Sequence, residues 1–144
     1  MTIDALDMSG KAGLVTGAAG STGLAVSRGL VEYGGWMVMV DRHPTVGSRA
    51  SEVGASGLVA DLSRPEAAEA MVNETAHEFG RMDFIANVAG AQSRGSMVET
   101  TDEQWDILYT VNLRAVFAAC RAAAGRMLHD GTILNITSTS GTVG

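Results

Sequence analysis

Short apolar runs alternate with segments whose apolar residues recur every three or four positions, which divides the chain into strands and helices. Residues 12–15 are apolar, residues 16–23 are glycine-rich, and Leu24, Ala25, Val26 and Leu30 follow at helical positions. That order predicts a strand, a turn and a helix over 21–33, closed by Gly34-Gly35. The continuous apolar run 36–40 suits a strand buried on both faces and stops at Asp41. Residues 42–54 are polar and predict a turn and a short helix; residues 58–60 predict a third strand, ending at Asp61. Ser63-Arg64-Pro65-Glu66 reads as a capping box that opens a helix through Phe79. Residues 82–86 predict a fourth strand, followed by Asn87-Val88-Ala89-Gly90 and a loop over 91–99. A second capping box, Thr101 to Gln104, opens a long helix to about Met127, with Trp105, Leu108, Asn112, Ala115, Val116 and Ala119 on one stripe. His129-Asp130-Gly131 turns the chain into a fifth strand over 132–137.

Strands alternating with helices imply an α/β fold with a parallel sheet of βαβ units. Ligands of such sheets bind at the carboxyl ends of the strands. The residues with most to offer a ligand fall there: Gly17 after the first strand, Asp41 after the second, Asp61 after the third, Asn87 after the fourth and Ser138 after the fifth. In the turn Thr16-Gly17-Ala18-Ala19-Gly20-Ser21-Thr22-Gly23, glycine lets backbone N–H groups at a helix N-terminus approach a phosphate. Glycine is common here, 18 of 144 residues, so the turn gains weight only with the other strand ends.

Composition narrows the class. Hydrophobic residues at 46% are enough for one ordinary domain with a real core. A formal charge of −6, with ten scattered basic residues, argues against a general nucleic-acid partner. The single cysteine, Cys120, cannot form an internal disulfide, which makes a reducing compartment the default. His43, His77 and His129 share no metal-ligand spacing. No run approaches the roughly 18 consecutive apolar residues of a membrane span, and Met1-Thr2-Ile3-Asp4 carries no basic leader. A cytoplasmic domain with no nucleic-acid, membrane or metal partner is the expectation.

Taken together, these motifs resemble the short-chain dehydrogenase/reductase family from about Gly10 onward. Residues 16–23 resemble its TGxxxGxG turn, Asp61-Leu62 the acidic position after its third strand, and residues 87–90 its NNAG motif. Asn112, in Thr110-Val111-Asn112-Leu113, matches its active-site Asn, and Ser138 its catalytic Ser. The resemblance implies a Rossmann-type doubly wound sheet with strand order 3-2-1-4-5, here spanning residues 1–144 as a nucleotide-binding domain incomplete at its C-terminal side. It also implies a nicotinamide cofactor held by Gly17, Ala19, Ser21, Thr22, Gly23, Asp41, Arg42, Asp61, Leu62, Asn87, Ala89, Gly90, Val111 and Ile136. In the family mechanism hydride passes between the nicotinamide and an alcohol or carbonyl. Ser138 polarises the substrate oxygen and Asn112 holds a water of the proton relay.

Three positions depart from the family pattern. Ser21 replaces the second glycine of the turn, where its hydroxyl could bond a phosphate oxygen; Val88 replaces the second Asn of NNAG. The Tyr-x-x-x-Lys pair is missing: Tyr33 and Tyr109 are followed four residues later by Met37 and Leu113, and Lys11 is the only lysine. The chain therefore reads as the N-terminal part of an oxidoreductase, the alternative being a non-catalytic dinucleotide-binding module. Gln92, Ser93 and Arg94 could line the near wall of a substrate site, with Arg94 reading better as part of a solvated loop.

Asp41 points to NAD(H) over NADP(H). An acid about twenty residues past the glycine turn accepts hydrogen bonds from the adenosine ribose hydroxyls. A 2′-phosphate there would meet a carboxylate at roughly 4 Å, at a cost on the order of 4 kcal/mol per unit charge at an effective dielectric of 20. Arg42 could return part of that, and Asp41 could instead be a simple turn former. Asp61 reads either as an acceptor for the adenine amino group or as local helix-cap chemistry. For Asn112 the family position outweighs the alternative of a core amide bridging to a neighbouring strand, and Cys120 is better core than nucleophile. A five-stranded sheet with this long helix would expose strand five and one helix face. Cover by a C-terminal half or by a second copy is therefore expected.

Overall fold

The structure is a computed structural model that describes residues 6–64, 66–127 and 130–138. Five strands, β1 (Ala12–Thr16), β2 (Trp36–Asp41), β3 (Ser56–Val59), β4 (Phe84–Asn87) and β5 (Thr132–Asn135), form one sheet in the order β3-β2-β1-β4-β5. Every neighbouring pair is parallel, with Leu14 beside Val38 and Ile85, and Ile133 beside Ile85. The parallel sheet is the one expected from the alternation of strands and helices, and its doubly wound order is the one the family resemblance implies.

The apolar runs are unbroken by polar residues because both faces of the central strands are covered. Leu14, Val38, Val40 and Ile85 pack on one face with Met71, Val72, Ala115 and Ala119, which come from α3 (Ala67–Phe79) and α5 (Ala115–Ala124). Val15, Met37, Met39, Phe84 and Ala86 pack on the other with Val46 and Ala50 of α2 (Val46–Val53), and with Leu24 and Leu30 of α1 (Ser21–Glu32). Neighbours in sequence thus point to opposite cores, as strand geometry dictates. Burial falls off toward the edges: β3 alternates, and all four residues of β5 are exposed.

Two helix predictions need correction. The Ser63 capping box does not form. The α3 helix begins at Ala67, and the Asp61 carboxylate accepts the Ser63 N–H at 3.0 Å while the Asp61 carbonyl accepts the Arg64 N–H. The short Asp side chain captures the backbone before Ser63 can cap it; Pro65, the other half of that expectation, lies outside the described residues, as does His129 of the later turn. The second box is present, with Gln104 N–H donating to Thr101 Oγ1 and Thr101 N–H to Gln104 Oε1. A third, Ser96 with Glu99, closes a short turn in what reads as plain loop.

The long helix is three pieces: α4 (Asp102–Tyr109), a π-helical turn (Thr110–Arg114) and α5. The extra residue in the π turn breaks the predicted stripe. Ala115 and Ala119 are buried, Leu108 and Val116 half-buried, but Asn112 is exposed and Trp105 is 63% exposed. Of the three, α5 is the piece that packs on α3 and β4. By length and composition alone, residues 102–124 are apolar enough to cross a membrane, yet Ala115, Ala119 and Ala123 of that run are seated against the domain core.

Where the strands begin, Asp83 locks three of them together. Its backbone N–H donates to the Ala12 carbonyl and its carbonyl accepts the Thr132 N–H. Its carboxylate accepts the Ala12 N–H at 2.8 Å and both Arg81 donors, at 2.6 and 2.7 Å. The Arg81 hydrogen bond, helped by the Ala12 N–H and opposed by burial, holds the Asp83 carboxyl below the usual carboxylate range. Arg81 is 46% exposed, so solvent screening leaves the ion pair itself about 0–1 kcal/mol. The bond to the buried Ala12 amide matters more. Asp83→Ala should cost about 1–3 kcal/mol in urea denaturation at pH 7, because a buried donor loses its acceptor. A group with a depressed folded pKa contributes stability above its unfolded value near 4, and that contribution is lost as pH falls through the folded value. The stability gap between wild type and Asp83→Ala should therefore narrow as pH falls from 7 through the folded carboxyl's value; a gap that stays constant throughout the acid titration would contradict this role.

Candidate functional site

The carboxyl ends of the strands surround one cleft of about 450 Å³. Its floor is the turn between β1 and α1. Gly17 has φ +64°, and a Cβ there would lie 2.8 Å from both Cα and N of Ala89. A Cβ on Gly23 would lie 2.2 Å from the Gly17 carbonyl oxygen. The first glycine lets the turn touch the loop after β4, and the last lets α1 start against the turn itself. Thr16, buried at the end of β1, joins the same two segments: its Oγ1 accepts the N–H groups of Val88 and Ala89, each at 3.0 Å.

The start of α1 has the features of an anion site. Its N-cap is Gly20, no side chain caps it, and no acidic residue stands in its first turn. The N–H groups of a first helical turn have no intrahelical acceptor, and with the helix dipole they favour an anion. Ser21 lies in that turn with its side chain exposed. The turn is also fastened sideways. Ala18 N–H donates to the Val40 carbonyl at 3.1 Å, and Ala19 N–H to Asp41 Oδ2 at 3.0 Å. Asp41 Oδ1 accepts the His43 N–H at 2.9 Å, and each carboxylate oxygen keeps further acceptor capacity.

Across the cleft, the Ser63 N–H and hydroxyl hold the Asp61 carboxyl below the usual carboxylate range against the cost of burial, with Arg42 and Arg64 adding to the effect. Asp61 is therefore an acceptor at neutral pH. Of the expected site residues, Gly17, Ser21, Thr22, Gly23, Asp41, Arg42, Asp61, Leu62, Ala89, Gly90 and Val111 line the cleft. Ala19 is turned toward β2 and α2 through its two backbone bonds. Asn87 is buried and directs its amide to Asn135 Oδ1, at 2.8 Å, and to the Cys120 sulfur. Its side chain braces β4 against β5 and does not line the cleft, unlike its neighbours Val88, Ala89 and Gly90.

Ile136 donates its N–H to the Asn87 carbonyl, and Ser138 is an exposed residue just past β5; neither lines the cleft. Thr139 and Ser140 lie outside the described residues. Asn112 sits in the π turn and exchanges two hydrogen bonds with the Ala91 backbone: Ala91 N–H to Oδ1 at 2.8 Å and Nδ2 to the Ala91 carbonyl at 2.9 Å. The amide is satisfied by the loop after β4, not by a strand. It thereby fixes the wall formed by Val88 to Ala91.

Sequence reasoning missed Gly20, Val40, Ala60, Ser63, Val88, Ala91 and Ile107 as lining residues. Val40 and Ala60 immediately precede the two strand-end acids, and Ile107 lies one helical turn before Val111, so their proximity was implicit in the spacing. Thr16→Val should cost about 1–3 kcal/mol in urea denaturation, because two half-buried N–H groups lose their acceptor while volume is conserved. An unchanged midpoint would show that the hydroxyl does not join the two loops.

A family model described as short chain dehydrogenase matches residues 11–144. The chain is 32% identical to the NADP-dependent (R)-specific alcohol dehydrogenase of Lentilactobacillus kefiri, over 95% of this chain and 58% of that protein. It is 33% identical to the L-fucose dehydrogenase of Oryctolagus cuniculus, over 94% of this chain and 49% of that one. Among solved structures, a short chain dehydrogenase from Mycobacterium smegmatis superposes with a TM-score of 0.89 at 31% identity, over 96% of this chain and 62% of that one. A blue fluorescent protein from a metagenomic library, solved with NADPH, gives 0.91 at 25% identity, over 95% and 59%. The chain spans about half the length of the curated relatives it matches. With the strand order and the glycine turn already in place, the match over residues 11–144 shows that this chain belongs to the short-chain dehydrogenase/reductase family.

Proposed function

We propose that this chain is the cofactor-binding part of an NAD(H)-dependent oxidoreductase that moves hydride between nicotinamide and an alcohol or carbonyl substrate. The observation that carries the reading is the convergence of a glycine turn, an uncapped helix start and two strand-end carboxylates on one cleft. The pyrophosphate would lie on the N–H groups at the start of α1, with Gly17, Ser21, Thr22 and Gly23 beneath it. Asp41 would take the ribose hydroxyls and Asp61 the adenine amino group, while Leu62, Ala89, Gly90 and Val111 would form apolar walls. The bound nicotinamide supplies the hydride chemistry. Asn112 would hold the loop at Ala91 in place, and Ser138 would polarise the substrate oxygen once a substrate is bound.

The choice of NAD(H) rests on charge. Asp41 stands in the cleft with its carboxylate held by Ala19 and His43, and a 2′-phosphate beside it would be repelled. Arg42 also lines the cleft, on the exposed side. The Lentilactobacillus relative is named NADP-dependent, so this preference is where the chain is expected to differ from it. The edge of β5 and the exposed Trp105, Ile107, Leu113 and Phe117 favour cover by further chain or by a second copy. The composition favours a cytoplasmic setting.

Titration followed by NADH and NADPH fluorescence tests the reading. Wild type should bind NADH more tightly than NADPH. Asp41→Ser should lose about 10- to 100-fold in NADH affinity, the equivalent of hydrogen bonds to a charged acceptor, and should reverse the ranking. No binding of either dinucleotide would refute the cofactor assignment, and tighter NADPH binding by wild type would refute the preference.

A further inference from the structure

The glycine turn has an anchor that its sequence motif does not contain. Arg49, thirty residues downstream on α2, donates from Nη1 to the Ala19 carbonyl at 2.6 Å. The position of Arg49 is fixed by its helix, because Val46 and Ala50 on either side are fully buried against β2 and the turn. Its guanidinium is half-buried and meets no carboxylate: the one ion pair among the described residues is Arg81 with Asp83. With no carboxylate in ion-pair reach, the contact that places this guanidinium beside the turn is its bond to the neutral Ala19 carbonyl.

The bond matters because of the peptide unit it holds. The N–H at the other end of the Ala19–Gly20 peptide, that of Gly20, donates to the Gly17 carbonyl at 3.0 Å. The preceding peptide presents its N–H, that of Ala19, to Asp41. Both peptides flanking the Ala19 Cα are therefore oriented. A turn that accepts an anion needs its carbonyl oxygens directed away from the anion, since an oxygen facing a phosphate repels it as strongly as an N–H attracts it. Tying the Ala19 oxygen to α2 opposes the peptide flip that would bring it toward the phosphates.

We propose that Arg49 is a positioning residue of the dinucleotide site, holding the glycine turn in its anion-accepting conformation through the Ala19 carbonyl. This rests on the dinucleotide reading above and adds to it the residue that presets the turn. Loss of Arg49 should weaken ligands in proportion to their phosphates and spare a ligand that has none.

The test compares NADH, ADP and adenosine as ligands of wild type, Arg49→Met and Arg49→Lys, by calorimetry and backbone amide NMR, with thermal melting as a control for folding. Arg49→Met should bind NADH and ADP about tenfold or more weakly, with adenosine affinity within about twofold of wild type. Arg49→Lys keeps the charge but not the planar fork, and should restore part of the loss. Unchanged NADH and ADP affinities would overturn the proposal. A parallel loss for adenosine would also overturn it, because that marks a general loosening of the site. If Arg49→Met does not fold, Arg49→Lys decides: a phosphate-dependent loss supports the role and none refutes it. Wild type binding NADH while the variants match it removes the Arg49 role alone; wild type binding none of the three ligands removes the dinucleotide reading with it.

Discussion

One buried hydroxyl sets the geometry of the cleft. Thr16 ends the central strand, and its oxygen accepts the first two backbone N–H groups of the loop after β4. Parallel strands end with their backbones unpaired, and buried amides there need acceptors. Supplying them from Thr16 brings the loop against Gly17, at a separation no side chain on residue 17 would allow. The glycine turn and the Val88–Gly90 wall then form a single surface. Asn112 extends that surface from the helical layer by pairing with Ala91.

Stability and recognition lie at opposite ends of the same strands. At the amino ends Asp83 joins β1, β4 and β5 through Ala12 and Thr132, with Arg81 alongside. At the carboxyl ends side chains take up the backbone N–H groups, Thr16 those of Val88 and Ala89 and Asp41 that of Ala19, and acids replace hydrophobes at Asp41 and Asp61 around the cleft proposed to hold the cofactor. The two faces of the sheet are closed by α1 and α2 on one side and by α3 and α5 on the other. Burial is complete around β1 and β4 and fades toward β5 and α4.

The five strands were legible because each is an apolar run that stops at a polar or glycine residue; their parallel direction followed from the helices between them, and their order from the family resemblance. The turn and its two acids were legible for the same reason: they sit where the runs stop. Local competition was less visible. Asp61 outcompetes Ser63 for the backbone, so the expected cap is absent. The π turn shifts the apolar stripe, leaving Trp105 in solvent. Asn87 matches a binding motif, yet its amide faces Asn135, a partner 48 residues away that no local pattern reveals. Arg49 was invisible for the same reason: its partner is a backbone carbonyl thirty residues upstream.

On the proposed function, the turn over residues 17–23 and the loop over residues 88–91 are two halves of one cofactor site. Amide hydrogen exchange with and without saturating NADH tests it most directly. Slower exchange in both segments together, with little change at the Asp83 end of the sheet, is the predicted result. Slowing in neither segment, or in only one of them, would contradict the account.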